Sequence, residues 1–278
     1  MKSIFDDVSY RCSKLTTRSY STSFSLGIRF LNKNLRNAIY GIYGFVRFAD
    51  EIVDTFHEYD KKNLLDRFRQ DAYSAIDEQI SLNPILNSFQ AVVNQYGIER
   101  DIIDAFLKSM EMDLDKSFYS RESYEEYILG SAEVVGLMCL RVFCNGEDSL
   151  YQSLKPDAMR LGSAYQKVNF LRDLKADFDG LGRSYFPNIS IENFSNEDKQ
   201  QIIEEIKEDF DLGYRGIKGL PKNSRFGVYM TYVYYNSLLK KIRRTKPSKI
   251  LSSRIRIPNN QKYALFLSSY VRHSLNII

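Results

Sequence analysis

Two pairs of aspartates with the spacing Asp-x-x-x-Asp are the residues of this chain best suited to chemistry. Asp50 and Asp54 form the first pair, and Asp173 and Asp177 form the second. Residues four apart on an α-helix project from one face, one turn apart, so each pair presents two neighbouring carboxylates. Two such helices facing each other would enclose four carboxylates. A small cluster of divalent cations that carries a diphosphate is the ligand best suited to such a cage.

The first pair continues a stripe that is otherwise apolar. In the segment 36–54, the apolar positions, which include Tyr43 and Val46, share an arc of about 100° with both aspartates. Arg47 lies beside this stripe, one turn before Asp50. Burying carboxylates without partners is costly, and a bound cation is the simplest compensation. The alternative is a pair of solvated acids on a helix surface.

The second pair extends a row of amides. Gln166, Asn169, Asp173 and Asp177 share one helix face, within an arc of about 80°. All four side chains carry oxygen atoms, which suits the wall of a metal and phosphate site. A polar stripe facing solvent is the alternative for this helix alone. The same arrangement on two helices favours the metal site.

Composition narrows the functional class. The chain has 278 residues, of which 44% are hydrophobic and 27% are charged, as in ordinary soluble globular proteins. The net charge of +4 suits anionic substrates or membrane surfaces, but it is far from the charge of nucleic-acid-binding proteins. We therefore expect no nucleic-acid partner. The 20 tyrosines and 18 phenylalanines suit either a large apolar cavity or an aromatic core.

The cysteines and histidines predict no metal site. Cys12, Cys139 and Cys144 show neither metal-ligand spacing nor a disulfide framework, which favours a reducing cytoplasm. His57 and His273 are predicted to be surface or local structural residues. No apolar secretory segment is visible at the start, and no apolar run is expected to span a bilayer. We predict a cytoplasmic protein.

Helical periodicity predominates along the chain, and no convincing run of alternating strands is present. Only six prolines interrupt it, and no segment resembles a domain linker. Ser195 followed by Asp198 predicts an N-terminal capping box. We predict a single all-α domain over 1–278, with helices near 4–18, 21–30, 33–56, 61–80, 84–95, 99–115, 122–145, 149–178, 196–218, 225–245 and 260–276.

Four segments resemble the squalene/phytoene synthase family of trans-isoprenyl diphosphate synthases. They are ordered as in the family and cover nearly the whole chain. SYSTSFSLGIRFL resembles the family's N-terminal serine and phenylalanine segment, and RNAIYGIYGFVRFADEIVD resembles its first aspartate-rich motif. YILGSAEVVGLMCLRVF resembles its central helix, and LGSAYQKVNFLRDLKADFDGLGRSYFP resembles its second signature, including the trailing Arg-x-Tyr-Phe-Pro.

The resemblance implies an isoprenoid synthase-type helical bundle around a central apolar cavity. It also implies Mg²⁺ as the cofactor, with Mn²⁺ as the alternative ion. By motif position, the implied metal ligands are Asp50, Asp54, Asn169, Asp173 and Asp177. The implied substrate-binding residues are Ser21, Ser23, Arg47, Gln166, Asn169 and Arg183. The implied catalytic residues are the four aspartates, Arg47 and Tyr235.

The implied reaction is the head-to-head condensation of two allylic diphosphates. We expect a phytoene synthase that joins two geranylgeranyl diphosphates through a cyclopropyl diphosphate intermediate, because the compact length and missing C-terminal anchor resemble the bacterial carotenoid branch. A C30 dehydrosqualene or squalene synthase acting on farnesyl diphosphate is the alternative. No glycine-rich dinucleotide fingerprint is present, so NADPH is not expected. A non-catalytic assembly or scaffold member would be expected to lose the aspartates.

Three positions depart from the family pattern. Tyr20 stands where several relatives have His, Leu129 stands where Tyr is common, and Glu133 replaces a small residue. Two basic segments, 240–249 and 252–258, predict peripheral contact with the inner membrane face, although a solvated basic surface explains them equally well. No protein partner is predicted.

Overall fold

The computed structural model describes residues 1–115, 119–181, 183–187, 189, 191–258, 261–262, 264–265 and 269–270. Within these residues the chain forms helices and no strand, which confirms the predicted all-α class. The helices are α1 Lys2–Tyr20, α2 Thr22–Arg29, α3 Lys33–Asp54, α4 Lys61–Glu78, α5 Pro84–Tyr96, α6 Arg100–Asp115, α7 Arg121–Ile128, α8 Val134–Cys144, α9 Asp148–Leu181, α10 Asn196–Gly219, α11 Lys222–Arg244 and α12 Pro247–Ile250. A π-helical segment, Leu129–Glu133, joins α7 to α8.

Local sequence signals explain where many of these helices begin and end. The predicted capping box is present, because the Ser195 Oγ accepts from the Asp198 backbone N–H at 3.0 Å and the Asp198 carboxylate accepts from the Ser195 N–H at 2.9 Å. Asn83 caps α5 by a side-chain oxygen that accepts from the Ile85 backbone N–H at 3.0 Å, with Pro84 at the first position of the helix. Gly97, in the left-handed region at φ 66°, ends α5.

Three predictions about the helices need correction. The segment 122–145 is not one regular helix, because the π-helical segment interrupts it. The short helix α12 was not predicted, since four residues carry no detectable periodicity. The predicted helix 260–276 is seen only at 261–262, 264–265 and 269–270, which are helical; the rest of it, including His273, lies outside the described residues.

The sequence analysis expected no segment that could span a bilayer. Judged by length and composition, that expectation is wrong for one segment. The stretch Arg121–Cys144 is long and apolar enough to cross a membrane, but 56% of its most apolar window is buried inside the bundle. Close packing accounts for this burial. A Cβ on Gly130 would lie 2.4 Å from the carbonyl oxygen of Ala105, so only glycine lets the π-helical segment approach α6 this closely. The apolar stretch is thus a core helix of the fold.

The hydrophobic core consists of two clusters. In the first, built mainly from α3 to α6 and α8, Phe45 is fully buried and stacks on Phe89 with ring centroids 3.8 Å apart. In the second, built mainly from α7 and α9 to α11, Phe170 stacks on Tyr185 at 4.0 Å. These two clusters hold α3 and α9, which carry the two aspartate pairs, on opposite sides of a central cavity.

Candidate active site

The central cavity has about 1360 Å³ of empty space, including its open end. Its walls come from α2, α3, the π-helical segment and α8 to α11, and they are predominantly apolar. At one end the lining becomes polar, with Gln166, Asn169 and Tyr235. Both aspartate pairs lie beyond this polar end, one turn past the last lining residues of α3 and α9, and we call this region the mouth. The predicted central apolar cavity is confirmed.

At the mouth, Asp50 of the first aspartate pair forms an ion pair with Arg47. Arg47 donates a hydrogen bond from one guanidinium nitrogen to the Asp50 carboxylate and one from the other to the Glu51 carboxylate. Its guanidinium lies 4.2 Å from the ring centroid of Tyr20. Burial raises the pKa of Asp50 to about 7; the charge of Asp54 adds to this, and Arg47 opposes it. Tyr20, a departure from the family pattern, therefore contacts the site directly by stacking on Arg47.

Asp173 of the second pair is held by two arginines that the sequence analysis missed. Arg172 Nε lies 3.0 Å from Asp173 Oδ1, and Arg254 Nε lies 2.8 Å from the same oxygen. Asp177 has no described ion pair of its own. Burial raises its pKa to about 7, and the charges of Asp173 and Asp54 add to the shift. The negative charge of Asp54 thus acts on Asp177 from the opposite wall of the mouth.

Arg183 links the two motifs. Its Nη1 donates to Asp54 Oδ1 at 2.9 Å, while its backbone N–H donates to the carbonyl oxygen of Asp177 at 3.1 Å. The same guanidinium contacts Asp113 on α6, a buried carboxylate that the sequence analysis did not single out. A cation shared in this way offsets part of the repulsion between the two aspartate pairs.

The predicted row of amides is present and forms a chain of hydrogen bonds along the cavity wall. The Tyr235 hydroxyl donates to Asn169 Oδ1 at 3.3 Å, and Asn169 Nδ2 donates to Gln166 Oε1 at 3.4 Å. Gln166 Nε2 then donates to the Ser131 hydroxyl at 3.3 Å. Ser131, in the π-helical segment, was not predicted. The structure therefore brings Tyr235, Asn169 and Gln166 together just below the second aspartate pair.

The two predicted serines lie at the start of α2. Ser21 caps this helix by accepting from the Phe24 backbone N–H at 3.2 Å, and Ser23, in its first turn, is half-buried. Ser21 also hydrogen-bonds Tyr43, a cavity-lining residue whose pKa burial raises to about 12. A helix N-terminus carries partial positive charge, so this position suits a phosphate.

The remaining predictions are placed as follows. His57 is exposed, as predicted. Leu129 and Glu133 lie in the π-helical segment, and neither is among the lining residues of the cavity. Burial raises the pKa of Glu133 to about 7, with Arg160 opposing the shift. Cys139 lines the cavity as an apolar residue, and burial raises the pKa of its thiol to about 12.

The four carboxylates are not gathered into one cage in this arrangement. Among the described residues, no three Asp, Glu, His or Cys side chains are placed to hold a metal ion together. Like charges repel each other, and Arg183 bridges the two motifs through its side chain on Asp54 and its backbone N–H on Asp177. The carboxylates and amides are nevertheless hard oxygen donors suited to Mg²⁺. Among the described residues of the mouth, six acids lie with four arginines, and the excess negative charge also fits a divalent cation. The acids are Asp50, Glu51, Asp54, Asp113, Asp173 and Asp177, and the arginines are Arg47, Arg172, Arg183 and Arg254.

The chain matches the family model for squalene/phytoene synthase over residues 17–261. The chain belongs to that family. This match includes both aspartate pairs, the amide row and all four arginines of the mouth. The squalene/phytoene synthase fold is also seen in similar solved structures. The structure superposes on that of a dehydrosqualene synthase in complex with ligand with a TM-score of 0.82 and 17% identity, covering 97% of this chain and 98% of that one.

A squalene synthase from Alicyclobacillus acidocaldarius has a TM-score of 0.76 and 21% identity, covering 87% of this chain and 95% of that one. Among related sequences, a presqualene diphosphate synthase of Sinorhizobium fredii is 31% identical, over 66% of this chain and 64% of the relative. Phytoene synthase 1 of Solanum lycopersicum is 27% identical, over 84% of this chain and 60% of the relative. The matched regions thus span less than two thirds of the length of these two relatives.

Proposed function

We propose that this protein condenses two isoprenyl diphosphates head to head, and that its substrate is geranylgeranyl diphosphate and its product phytoene. The observation that carries the proposal is the junction at the mouth of the cavity. There, the predominantly apolar cavity meets the amide row, two aspartate pairs and four arginines. A prenyl diphosphate has the matching chemistry, with an anionic end and a long hydrocarbon tail.

We further propose that Mg²⁺ binds the aspartate pairs, with Asn169 as an additional ligand and Mn²⁺ as the alternative ion. When bound, the metal acts as a Lewis acid and neutralises the diphosphate leaving group. The support is the hard-oxygen donor set, together with the raised pKa values of Asp50 and Asp177, to which burial contributes most and the neighbouring carboxylates add. The existing arginine pairs of Asp50, Asp54 and Asp173 must loosen for this to happen.

We assign each group of residues a role in substrate binding according to its position at the mouth or in the cavity. Arg47 and Arg183 supply fixed positive charge where the diphosphate lies, and the N-terminus of α2 at Ser21 adds backbone donors. Gln166 and Asn169 orient the polar end of the substrate, because they line the top of the cavity. The apolar walls below them hold the prenyl tails and exclude water, which would quench a carbocation.

The bond changes follow from this placement. Cleavage of the C1–O bond of one substrate releases diphosphate and leaves an allylic cation. The C2–C3 double bond of the second substrate attacks that carbon, and loss of a proton, with diphosphate as acceptor, closes a cyclopropane ring. A second loss of diphosphate, rearrangement and proton loss give the triene. Tyr235 lies beside Asn169 at this level, with its ring 4.4 Å from that of Tyr165, so their π faces can stabilise the cation.

The choice of the C20 substrate over farnesyl diphosphate rests on cavity depth. Lining residues of α9 run from Asn169 to Leu154, which is about 22 Å at the rise of an α-helix. We propose that the longer, C20 tail occupies this length of the wall. The C30 reaction remains the second candidate, because relatives with presqualene diphosphate synthase activity are among the matches.

The decisive experiment is incubation with farnesyl and geranylgeranyl diphosphate separately, with and without NADPH, and identification of the hydrocarbon. We expect phytoene from the C20 substrate without NADPH, and release of inorganic diphosphate that depends on Mg²⁺. A C30 product would select the second candidate. Release of no diphosphate by folded protein would reject catalysis and favour a scaffold role.

We also propose a cytoplasmic protein in peripheral contact with the inner face of the membrane, since a hydrocarbon product must enter lipid. The basic segments 240–249 and 252–258 are the predicted contact, but part of their charge is already used. Arg254 pairs with Asp173, and Lys241 donates to the Arg256 carbonyl oxygen at 2.6 Å. Sedimentation with anionic liposomes at low and high salt tests this, and binding that does not weaken with salt would reject the electrostatic contact.

A further inference from the structure

Asp113, near the end of α6, is a buried carboxylate that belongs to neither aspartate pair. Its side chain is only 2% exposed. Its two oxygens accept hydrogen bonds from the hydroxyls of Tyr127 at 2.7 Å and Tyr119 at 3.3 Å. Its only described ionic partner is Arg183, whose Nη1 lies 3.4 Å from Asp113 Oδ1. The carboxylate is thus held in place by donors and faces one cation.

Arg183 is shared between this carboxylate and the first aspartate pair. The same Nη1 lies 2.9 Å from Asp54 Oδ1, and Nη2 donates to the Asp113 backbone carbonyl at 2.9 Å. Asp113 therefore contacts both ends of the guanidinium, whereas Asp54 contacts one end. The Asp54 side chain is also far more exposed, at 29%. Of the two acids, Asp54 is the one with room to turn away.

The surroundings of Asp113 are rigid. The rings of Tyr119 and Tyr127 are 5.1 Å apart, and each lies 5.3 Å from the ring of Tyr185. The Tyr185 hydroxyl is in turn 3.3 Å from Arg183 Nη1. Packing of this kind fixes the carboxylate and the guanidinium relative to α6, independently of Asp54.

A buried guanidinium that loses its only anionic partner is strongly destabilised. Suppose that Asp54 turned from Arg183 to a metal ion and that no other acid were present. Arg183 would then be a buried guanidinium without an anionic partner. Asp113 removes the difficulty, because Arg183 keeps an anionic partner whichever way Asp54 turns. When Asp54 exchanges Arg183 for a metal ion, its contact with Arg183 is broken, but the Arg183 charge does not become unpaired.

We propose that Asp113 is a positioning residue that retains Arg183 at the mouth and so frees Asp54 to exchange this arginine for a divalent cation. The proposal rests on the proposed function, since it assumes that Asp54 binds the metal. It assigns Asp113 no contact with substrate. Its consequence is that Asp113 sets how strongly Arg183 competes with the metal.

The test is calorimetric titration of the purified protein with MgCl₂ in the presence of inorganic diphosphate, which does not depend on turnover. In Asp113→Asn, Arg183 has Asp54 as its sole anionic partner, and we expect the apparent affinity for Mg²⁺ to fall about tenfold. In turnover, the Mg²⁺ concentration at half-maximal rate should rise by the same factor. The maximal rate at saturating Mg²⁺ should change less than about threefold, because no contact with substrate is lost.

Two further variants separate this role from a structural one. Tyr119→Phe removes the weaker hydrogen bond to Asp113 but leaves its charge, so Mg²⁺ affinity should stay within about twofold of wild type. Arg183→Gln removes the competitor. Titrated with MgCl₂ alone, because Arg183 is itself a proposed contact of the diphosphate, this variant should bind Mg²⁺ more tightly than wild type titrated in the same way, both alone and combined with Asp113→Asn. This second arm also serves if Asp113→Asn alone fails to fold.

Unchanged Mg²⁺ affinity in folded Asp113→Asn, or weaker binding in Arg183→Gln, would overturn the proposal. The outcome is separable from that of the proposed function. Wild-type protein that binds Mg²⁺ and diphosphate but makes no hydrocarbon rejects the condensation and leaves the competition between Arg183 and the metal in place. Wild-type protein that makes hydrocarbon, together with an Asp113→Asn variant of normal Mg²⁺ dependence, rejects only the role of Asp113.

Discussion

Arg254 contacts Asp173 through two nitrogens, with Nε 2.8 Å from Oδ1 and Nη2 3.0 Å from Oδ2. Arg254 belongs to the segment that follows α12, where Ile255 and Ile257 are buried and the alternate residues Arg254 and Arg256 are exposed. The buried isoleucines anchor this segment beside the mouth. A paired guanidinium of this geometry is well suited to carboxylate and phosphate alike.

We therefore expect Arg254→Gln to raise the KM for the prenyl diphosphate by about five- to tenfold, with a smaller change in kcat. When Asp173 turns to a metal ion, the freed Arg254 stays close enough to bind the diphosphate. Steady-state kinetics at saturating Mg²⁺ measure this. Arg256→Gln is the matched control from the same face of the same segment, and an equal effect of both variants would show that only general positive charge matters.

The aspartate pairs are expected to be needed for turnover and not for folding. Asp50→Asn and Asp173→Asn should each lower kcat/KM at least about 100-fold, because each removes a negative oxygen donor. The melting temperature should be unchanged or slightly higher for Asp50→Asn, because burial already raises the pKa of Asp50 to about 7 and Arg47 keeps Glu51 as a partner. For Asp173→Asn it should fall modestly while the protein stays folded, because Arg172 loses its described ion-pair partner.

Asp71→Asn, an exposed acid on α4, is the control for the loss of one negative charge. Release of inorganic diphosphate from geranylgeranyl diphosphate is the readout, with thermal unfolding measured on the same samples. Near-normal diphosphate release by either motif variant would mean that the metal ligands have been assigned incorrectly.

Glu133 should make stability depend on pH. Burial raises its pKa in the folded protein to about 7, from 4.5. A folded pKa above the unfolded one means that the stabilisation from the protonated form is complete below about pH 4.5 and is lost as pH rises through 7. At 1.36 kcal/mol per unit, the free energy of unfolding should fall by about 3 kcal/mol across this window from Glu133 alone.

Glu133→Gln should remove this contribution to the decrease of the free energy of unfolding with rising pH. Urea unfolding at pH 5 and pH 7.5 measures it, with the difference between wild type and variant as the quantity of interest. The comparison is needed because Asp50, Asp113 and Asp177 also have raised pKa values and contribute slope of the same sign to both proteins. Identical slopes for the two proteins would show that Glu133 keeps an ordinary pKa.

Leu154 is expected to limit the length of the prenyl tail. It is the lining residue of α9 farthest from the aspartates and lies against Gly219, whose added Cβ would meet Leu154 Cδ2 at 2.6 Å. There is little room for the side chain to move towards α10. Leu154→Phe should therefore fill the deep end and shift the products from C40 towards C30, while diphosphate release from farnesyl diphosphate continues.

A competition assay with equal farnesyl and geranylgeranyl diphosphate measures the shift. Leu154→Met, which conserves volume, is the control and should leave the product ratio within about twofold. A Leu154→Phe enzyme with an unaltered C40 to C30 ratio would place the end of the tail elsewhere in the cavity.

The sequence by itself determined the features that depend on one helix. The two Asp-x-x-x-Asp pairs, the row of Gln166 and Asn169, and the cap at Ser195 follow from spacing, because residues three or four apart share a helix face whatever packs against it. The all-α class and most helix boundaries follow for the same reason. The family motifs then indicated which of these faces lines a cavity.

The tertiary structure alone decided which charges meet. Arg183 and Asp54 are 129 residues apart, and Arg254 and Asp173 are 81 apart, so no helical periodicity relates them. Asp113 and Ser131 carried no signal because their partners lie on other helices. Three of the four carboxylates of the predicted cage, those of Asp50, Asp54 and Asp173, are bound to arginines for the same reason. Spacing places acids on a face, whereas long-range packing and electrostatics select the groups that neutralise them.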